Sequence, residues 1–156
     1  MDGMQHVGPS AGASTPPPPE VDLPRGDLTV RTIAMPADTN ANGDIFGGWV
    51  LSQMDQAGGI AGVDRAQGRV VTVALDAMTF IRPVRVGDVL CVYTHVASVG
   101  RTSMKIGVEA WARRFRTPHR EKVTEATFTF VAIDDEGRPR AIPKAAPVAE
   151  PSFTPA

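Results

Sequence analysis

From Met104 to Arg113 apolar and other residues alternate strictly. Met104, Ile106, Val108, Ala110 and Ala112 fall on one side, and Lys105, Gly107, Glu109, Trp111 and Arg113 on the other. A period of two places successive side chains on opposite faces of a strand, so this stretch predicts a half-buried strand with a polar outer face. Looser alternation predicts strands over Asp88–Val99 (Leu90, Val92, Thr94 and Val96 on one face) and Val123–Ile133. The β-branched run Val70-Val71-Thr72-Val73 predicts a strand over Arg69–Phe80, and Leu28–Met35 reads as another. Gly87-Asp88, Gly100-Arg101 and Thr117-Pro118-His119-Arg120 mark the turns between them, and Pro83 favours a bend or an edge position.

The period changes once. From Gly48 to about Arg65, Val50, Met54, Ala57 and Ala61 recur at helical spacing. Gly58, Gly59 and Gly62 interrupt this helix, each at a cost of about 1 kcal/mol relative to alanine. The simplest compensation is close approach of the helix to a sheet. One strand, one small-residue helix and then four strands in hairpin-like succession define an α+β fold with the helix on one sheet face. Such a sheet leaves an edge strand open, which allows dimerisation by edge pairing.

The ends break the pattern. Residues 1–27 hold six of the 14 prolines and few large apolar residues, and prolines recur every four residues from Pro139 to Pro155. Both are expected to be extended tails, leaving a folded unit over 28–138. With 156 residues and 42% hydrophobic composition, the chain fits one domain with an adequate core. A net charge of −1 gives no electrostatic case for nucleic acid or an anionic membrane. Cys91 is the only cysteine, no apolar run approaches a membrane span, and the N-terminus lacks the basic and apolar regions of a secretory signal. A cytoplasmic location is therefore expected.

The stretch Asn40-Ala41-Asn42-Gly43-Asp44-Ile45-Phe46-Gly47-Gly48-Trp49 carries the chemistry. It places turn formers and a carboxylate directly ahead of the helix start, where unpaired N–H groups favour negative charge. Asp44 is either an Asx turn or helix cap, or a base or nucleophile toward an electrophilic carbonyl. Gly47 and Gly48 permit a tight turn, and equally the close approach of a carbonyl oxygen to the backbone. Asp55 lies at the border of the helix's apolar face. His6, His95 and His119 lack metal-ligand spacing, and neither a nucleophile elbow nor a glycine-rich phosphate loop is present. Cys91, in mid-strand, reads as a buried small hydrophobe.

The run from Pro36 to Trp49, with Ser52-Gln53-Met54-Asp55, resembles the YciA-type bacterial acyl-CoA thioesterases. So do Gly68–Ala74, Phe80-Ile81-Arg82-Pro83, Val86-Gly87-Asp88, Val99–Ser103 and Phe128–Ala132, in collinear order. The resemblance implies a hotdog fold, a five-stranded antiparallel sheet wrapped around one central helix. It also implies homodimers that share active sites, often assembled further into hexamers. The wider superfamily often has histidine at the position of Phe46, and the phenylalanine resembles the YciA branch instead.

The reaction implied is hydrolysis of acyl-CoA to a free acid and coenzyme A, without cofactor or metal. Asp44 matches the family's catalytic aspartate, with the Gly48 N–H as oxyanion donor and Asp55 as a second carboxylate across the dimer. Asn42, Phe46 and Gly47 would border the substrate. Coenzyme A carries a pyrophosphate and a ribose phosphate. Arg82 and the turn Gly100-Arg101-Thr102-Ser103 suit those oxygens, with Lys105, Arg138 and Arg140 as further candidates. The rivals are a non-catalytic acyl-CoA-binding module and an enoyl-thioester hydratase. The first could dispense with Asp44, and the second needs a histidine that no position near the loop or helix supplies.

Overall fold

The computed structural model describes residues 22–147. The remaining residues of both expected tails lie outside this range. Five strands form one antiparallel sheet: β1 (Asp27–Ile33), β2 (Val70–Leu75), β3 (Val89–Val99), β4 (Ser103–Arg113) and β5 (Arg120–Ala132). The helix α1 (Gly47–Ala66) runs between β1 and β2 and lies on one sheet face. Strands and helix thus appear in the expected order.

The strand order is β1-β3-β4-β5-β2, which corrects the expectation of four consecutive hairpins. β3–β4 and β4–β5 are neighbours, as alternation and turns indicated. β2 instead lies at the far edge beside β5, and β3 pairs with β1. The segment between β2 and β3 crosses the sheet end. The strand expected to reach Phe80 therefore stops at Leu75. Beyond it only scattered bonds hold the chain to β5, such as the Asp76 amide to the Thr127 carbonyl (3.1 Å) and the Ile81 amide to the Val123 carbonyl (2.7 Å). Asp88 terminates the crossing: its buried carboxylate accepts from the Arg85 amide and pairs with Arg114.

The glycines of α1 behave as their cost required, with one exception. A Cβ on Gly58 would lie 2.9 Å from the Phe130 ring, and one on Gly62 would lie 3.2 Å from Val70. Gly59 has no such neighbour. The helix buries Val50, Met54, Ala57, Gly58, Gly62 and Ala66, whereas Ala61 is only partly buried. Opposite them lie Met104, Ile106, Val108, Phe128 and Phe130. Ile142, in the segment expected as a C-terminal tail, is buried in this same core.

The other sheet face holds an element that alternation did not reveal. Glu109, on the strand face opposite the apolar stripe, is 2% exposed. Arg25 donates to it from Nε (2.9 Å) and from its amide (3.2 Å), and the Trp111 indole donates at 3.0 Å. Lys122 Nζ lies 3.8 Å away. Cys91 and Tyr93 are buried beside Trp111, as read for Cys91. Burial by itself raises the Glu109 pKa, but the hydrogen bonds from Arg25 and Trp111 and the Lys122 charge outweigh it and hold the group below its ordinary value. A depressed carboxylate contributes stability that is present above its unfolded pKa and lost as pH falls through its folded one. Acid denaturation should therefore steepen below about pH 4. In Glu109→Gln the unfolding midpoint should depend less on pH in that range, as read by circular dichroism across a pH series.

Candidate active site

The loop from Met35 to Phe46 is held by its own backbone and by local bonds of the Asp38, Thr39 and Asn40 side chains. The Asn40 carboxamide oxygen accepts from the Asn42 amide (2.9 Å) and the Asp44 amide (3.2 Å). The Asn40 amide donates to the Asp44 carbonyl (2.8 Å), and the Gly43 amide to the Asn40 carbonyl (3.0 Å). Gly43 has φ 83°, a conformation that costs a side-chain-bearing residue and is free to glycine. Asn40 therefore makes the Asx turn that was the alternative reading of Asp44. Asp44 itself is exposed, and its carboxylate forms no hydrogen bond or ion pair among the described residues.

The helix N-terminus is also left open. Phe46 is the N-cap residue and supplies no side-chain hydrogen bond, and intrahelical bonding begins with the Trp49 and Val50 amides on the Phe46 carbonyl. The two glycines there differ in role. A Cβ on Gly47 would meet the Phe80 ring at 3.2 Å, so its smallness serves packing. Gly48 faces open space, so its smallness leaves the backbone accessible.

Gly48 borders a cavity of about 340 Å³ with Leu51, Ser52, Asp55, Thr72, Leu75 and Phe128. Within it the Thr72 hydroxyl donates to Asp55 Oδ1 at 2.6 Å. Asp55 is thus oriented toward the cavity wall by the edge strand. Thr72 is the residue that sequence reasoning missed, and Asn40, read only as a turn former, is the one that builds the loop. The signal for Thr72 was a lone hydroxyl in an otherwise aliphatic strand, and for Asn40 a turn former four residues before the acid.

The remaining candidates divide between two ends of the molecule. Arg82 borders a second hollow beside Ile45, Gly47 and Phe80, near the loop. Its guanidinium donates to the Lys122 carbonyl (3.3 Å) and lies 4.0 Å from Glu121. Gly100–Ser103 forms the β3–β4 turn, closed by the Gly100 amide on the Ser103 carbonyl (2.7 Å). That turn lies at the other end of α1: the Ile142 amide bonds the Arg101 carbonyl, and Arg65 in the last helical turn bonds the Pro143 carbonyl. Twenty residues of helix separate the two ends, roughly 30 Å. One chain therefore brings Asn42, Asp44, Phe46, Gly47, Gly48 and Arg82 together and leaves Arg101, Thr102 and Ser103 remote. Among the described residues no group of three His, Cys, Asp or Glu side chains could hold a metal ion, and no helix is long and apolar enough to cross a membrane.

The family description of the thioesterase superfamily matches residues 42–117. An acyl-CoA thioester hydrolase, YciA of Escherichia coli (strain K12), is 54% identical over 125 residues, which are 78% of this chain and 95% of that protein. The hexameric thioesterase y2039 from Yersinia pestis superposes with a TM-score of 0.76 at 54% identity, covering 79% of this chain and all of the other. HI0827, a hexameric broad-specificity acyl-coenzyme A thioesterase, gives a TM-score of 0.75 at 53% identity, covering 79% and 85%. The chain belongs to the YciA family of acyl-CoA thioester hydrolases. Its fold is the hotdog fold that the resemblance implied.

Proposed function

We propose that this protein hydrolyses acyl-CoA to a free carboxylic acid and coenzyme A, with Asp44 as the reactive carboxylate. The observation that carries this reading is the unengaged Asp44 side chain beside an uncapped helix start whose Gly48 backbone is open. Water attacks the thioester carbonyl while Asp44 takes its proton, and the Gly48 N–H stabilises the developing oxyanion. The tetrahedral intermediate collapses, the C–S bond breaks, and the thiolate leaves to be protonated as coenzyme A. In the alternative route Asp44 attacks directly, and water then hydrolyses the resulting anhydride. Asp55, held by Thr72, orients water or the thioester. No metal or cofactor enters either route.

The site is completed by a second copy. β2 is an edge strand with Val71, Val73 and Leu75 exposed, Val73 by 54%. A twofold axis perpendicular to the sheet pairs β2 with its mate antiparallel, keeping both helices on one face. Leu75, beside Gly48, then lies across from the start of the partner's β2. The loop of one chain thereby approaches the β3–β4 turn of the other. Hexameric relatives support further assembly of such dimers.

A thiol-release assay on short, medium, long and aromatic acyl-CoAs tests the reading. Coenzyme A release from at least one class is expected. Folded, oligomeric protein that releases none would leave a binding module in place of an enzyme.

A further inference from the structure

The helix α1 is apolar on two sides. One side is buried against the sheet. On the other, Gln56, Gly59, Ile60, Val63 and Asp64 fall at i, i+3, i+4, i+7 and i+8 and share a face. Ile60 is 48% exposed there and Val63 44%. These five residues line an open hollow of about 460 Å³. Gly58 and Gly62 make room for Phe130 and Val70, but a Cβ on Gly59 would meet nothing within 4 Å among the described residues. Glycine inside a helix is costly, so the space left at Gly59 calls for an occupant from outside residues 22–147.

The chain itself is delivered to that face. Ile142 is buried in the core, and Arg65 in the last turn of α1 holds the carbonyls of Pro143 (2.7 Å) and Lys144 (3.3 Å). Ala146 and Pro147 then border a second hollow, of about 480 Å³, with Ile60, Ala61, Asp64 and Arg65. Ile60 and Asp64 belong to both hollows, so the chain has turned back along the helix toward Gly59. Residues 148–156 follow, and Phe153 is the one aromatic among them. Nine residues span at most roughly 30 Å, and Gln56 lies only about one helical turn beyond Ile60. A face of five helical residues falls short of the roughly 20 residues a side of a stable contact between folded chains. It fits a short segment that carries one large apolar side chain.

We infer that residues 148–156 dock on the outer face of α1 of the same chain, with the Phe153 ring over Gly59 between Ile60 and Val63. The ring takes the place of the side chain that Gly59 lacks, and the contact removes apolar surface of both partners from water. The segment thereby braces the helix whose first turn borders the Asp44 loop.

The test uses the full-length oligomer. Removal of residues 148–156, and Phe153→Ala alone, should each lower the thermal unfolding midpoint by about 5 °C at one fixed chain concentration. Ile60→Ser should lower it in the full chain and much less in the shortened one, since both changes remove the same contact. In the double variant Val63→Cys with Phe153→Cys, oxidation should join the two thiols within one chain, which then runs as a single chain on a non-reducing gel. Cys91 is buried and serves as the unreactive reference. A midpoint unchanged by the shortening overturns the docking. A disulfide between chains also overturns it, because the segment then belongs to a neighbouring subunit. Loss of the oligomer in Ile60→Ser, with no effect of the shortening, would place a second copy on this face and overturn it as well.

Discussion

Asp44→Ala should retain the wild-type fold and assembly and lose about 10²–10⁴-fold in kcat on acyl-CoA. The fold is expected to survive because the loop does not depend on this side chain. Asn40 supplies the Asx turn and Gly43 the left-handed corner, and the Asn40 amide donates to the Asp44 carbonyl while the Asp44 amide donates to the Asn40 side chain. The loss should fall on kcat, since a carboxylate that acts on the attacking water contributes in the transition state. Asp44→Asn separates the two proposed roles no further, but it preserves shape while removing the base. Steady-state thiol release, with light scattering on the same samples, reads both parts. Turnover within a fewfold of wild type would remove Asp44 from the mechanism. A collapsed oligomer would instead show that the carboxylate supports structure, against the absence of any bond to it.

Phe130→Ala should be the most destabilising single change in the core, by about 3–5 kcal/mol. That is a large share of the about 5–15 kcal/mol that holds a domain folded. Phe130 is 1% exposed and lies offset-stacked on Phe128, with centroids 6.2 Å apart. It fills the trough that Gly58 and Gly62 leave in the helix. The same geometry makes Gly58→Leu destabilising alone, by about 1–3 kcal/mol, because the added side chain meets the ring. Joined with Phe130→Ala, however, Gly58→Leu should refill part of the cavity. The pair should therefore be less destabilised than the sum of the single changes. Urea denaturation at one fixed chain concentration measures this, since assembly adds to apparent stability. Strict additivity would mean that ring and glycine are not packed as one unit.

Much of this architecture was legible because it depends on local periodicity. β4 alternates cleanly since one face meets α1, and the glycines of α1 signalled close packing before any contact was visible. The position of β2 was not legible. Alternation tells which face a residue lies on and says nothing about which neighbour a strand will take, so the crossing from β2 to β3 read as a hairpin. The partners of Glu109 were not legible for a related reason. Its partner Arg25 is 84 residues away, in a proline-flanked segment with no periodic signal of its own. At the site, Asp44, Gly47 and Gly48 could be placed because they are contiguous. Thr72 acquires its role only through folding, when β2 comes alongside the helix and reaches Asp55. The remoteness of Arg101 from Asp44 follows from helix length, which sequence spacing alone did not convert into distance.

The open edge of β2 has a further consequence for how the chain is made. A newly folded copy presents Val71, Val73 and Leu75 beside unpaired backbone groups, a surface that any passing strand can extend. The only safe cover is another copy of itself. Under the proposed pairing, the contact that shields this chain from aggregation is also the one that completes its catalytic centre. Solubility and activity would then be acquired in a single step, and a substitution that weakens the edge would surface first as poor expression.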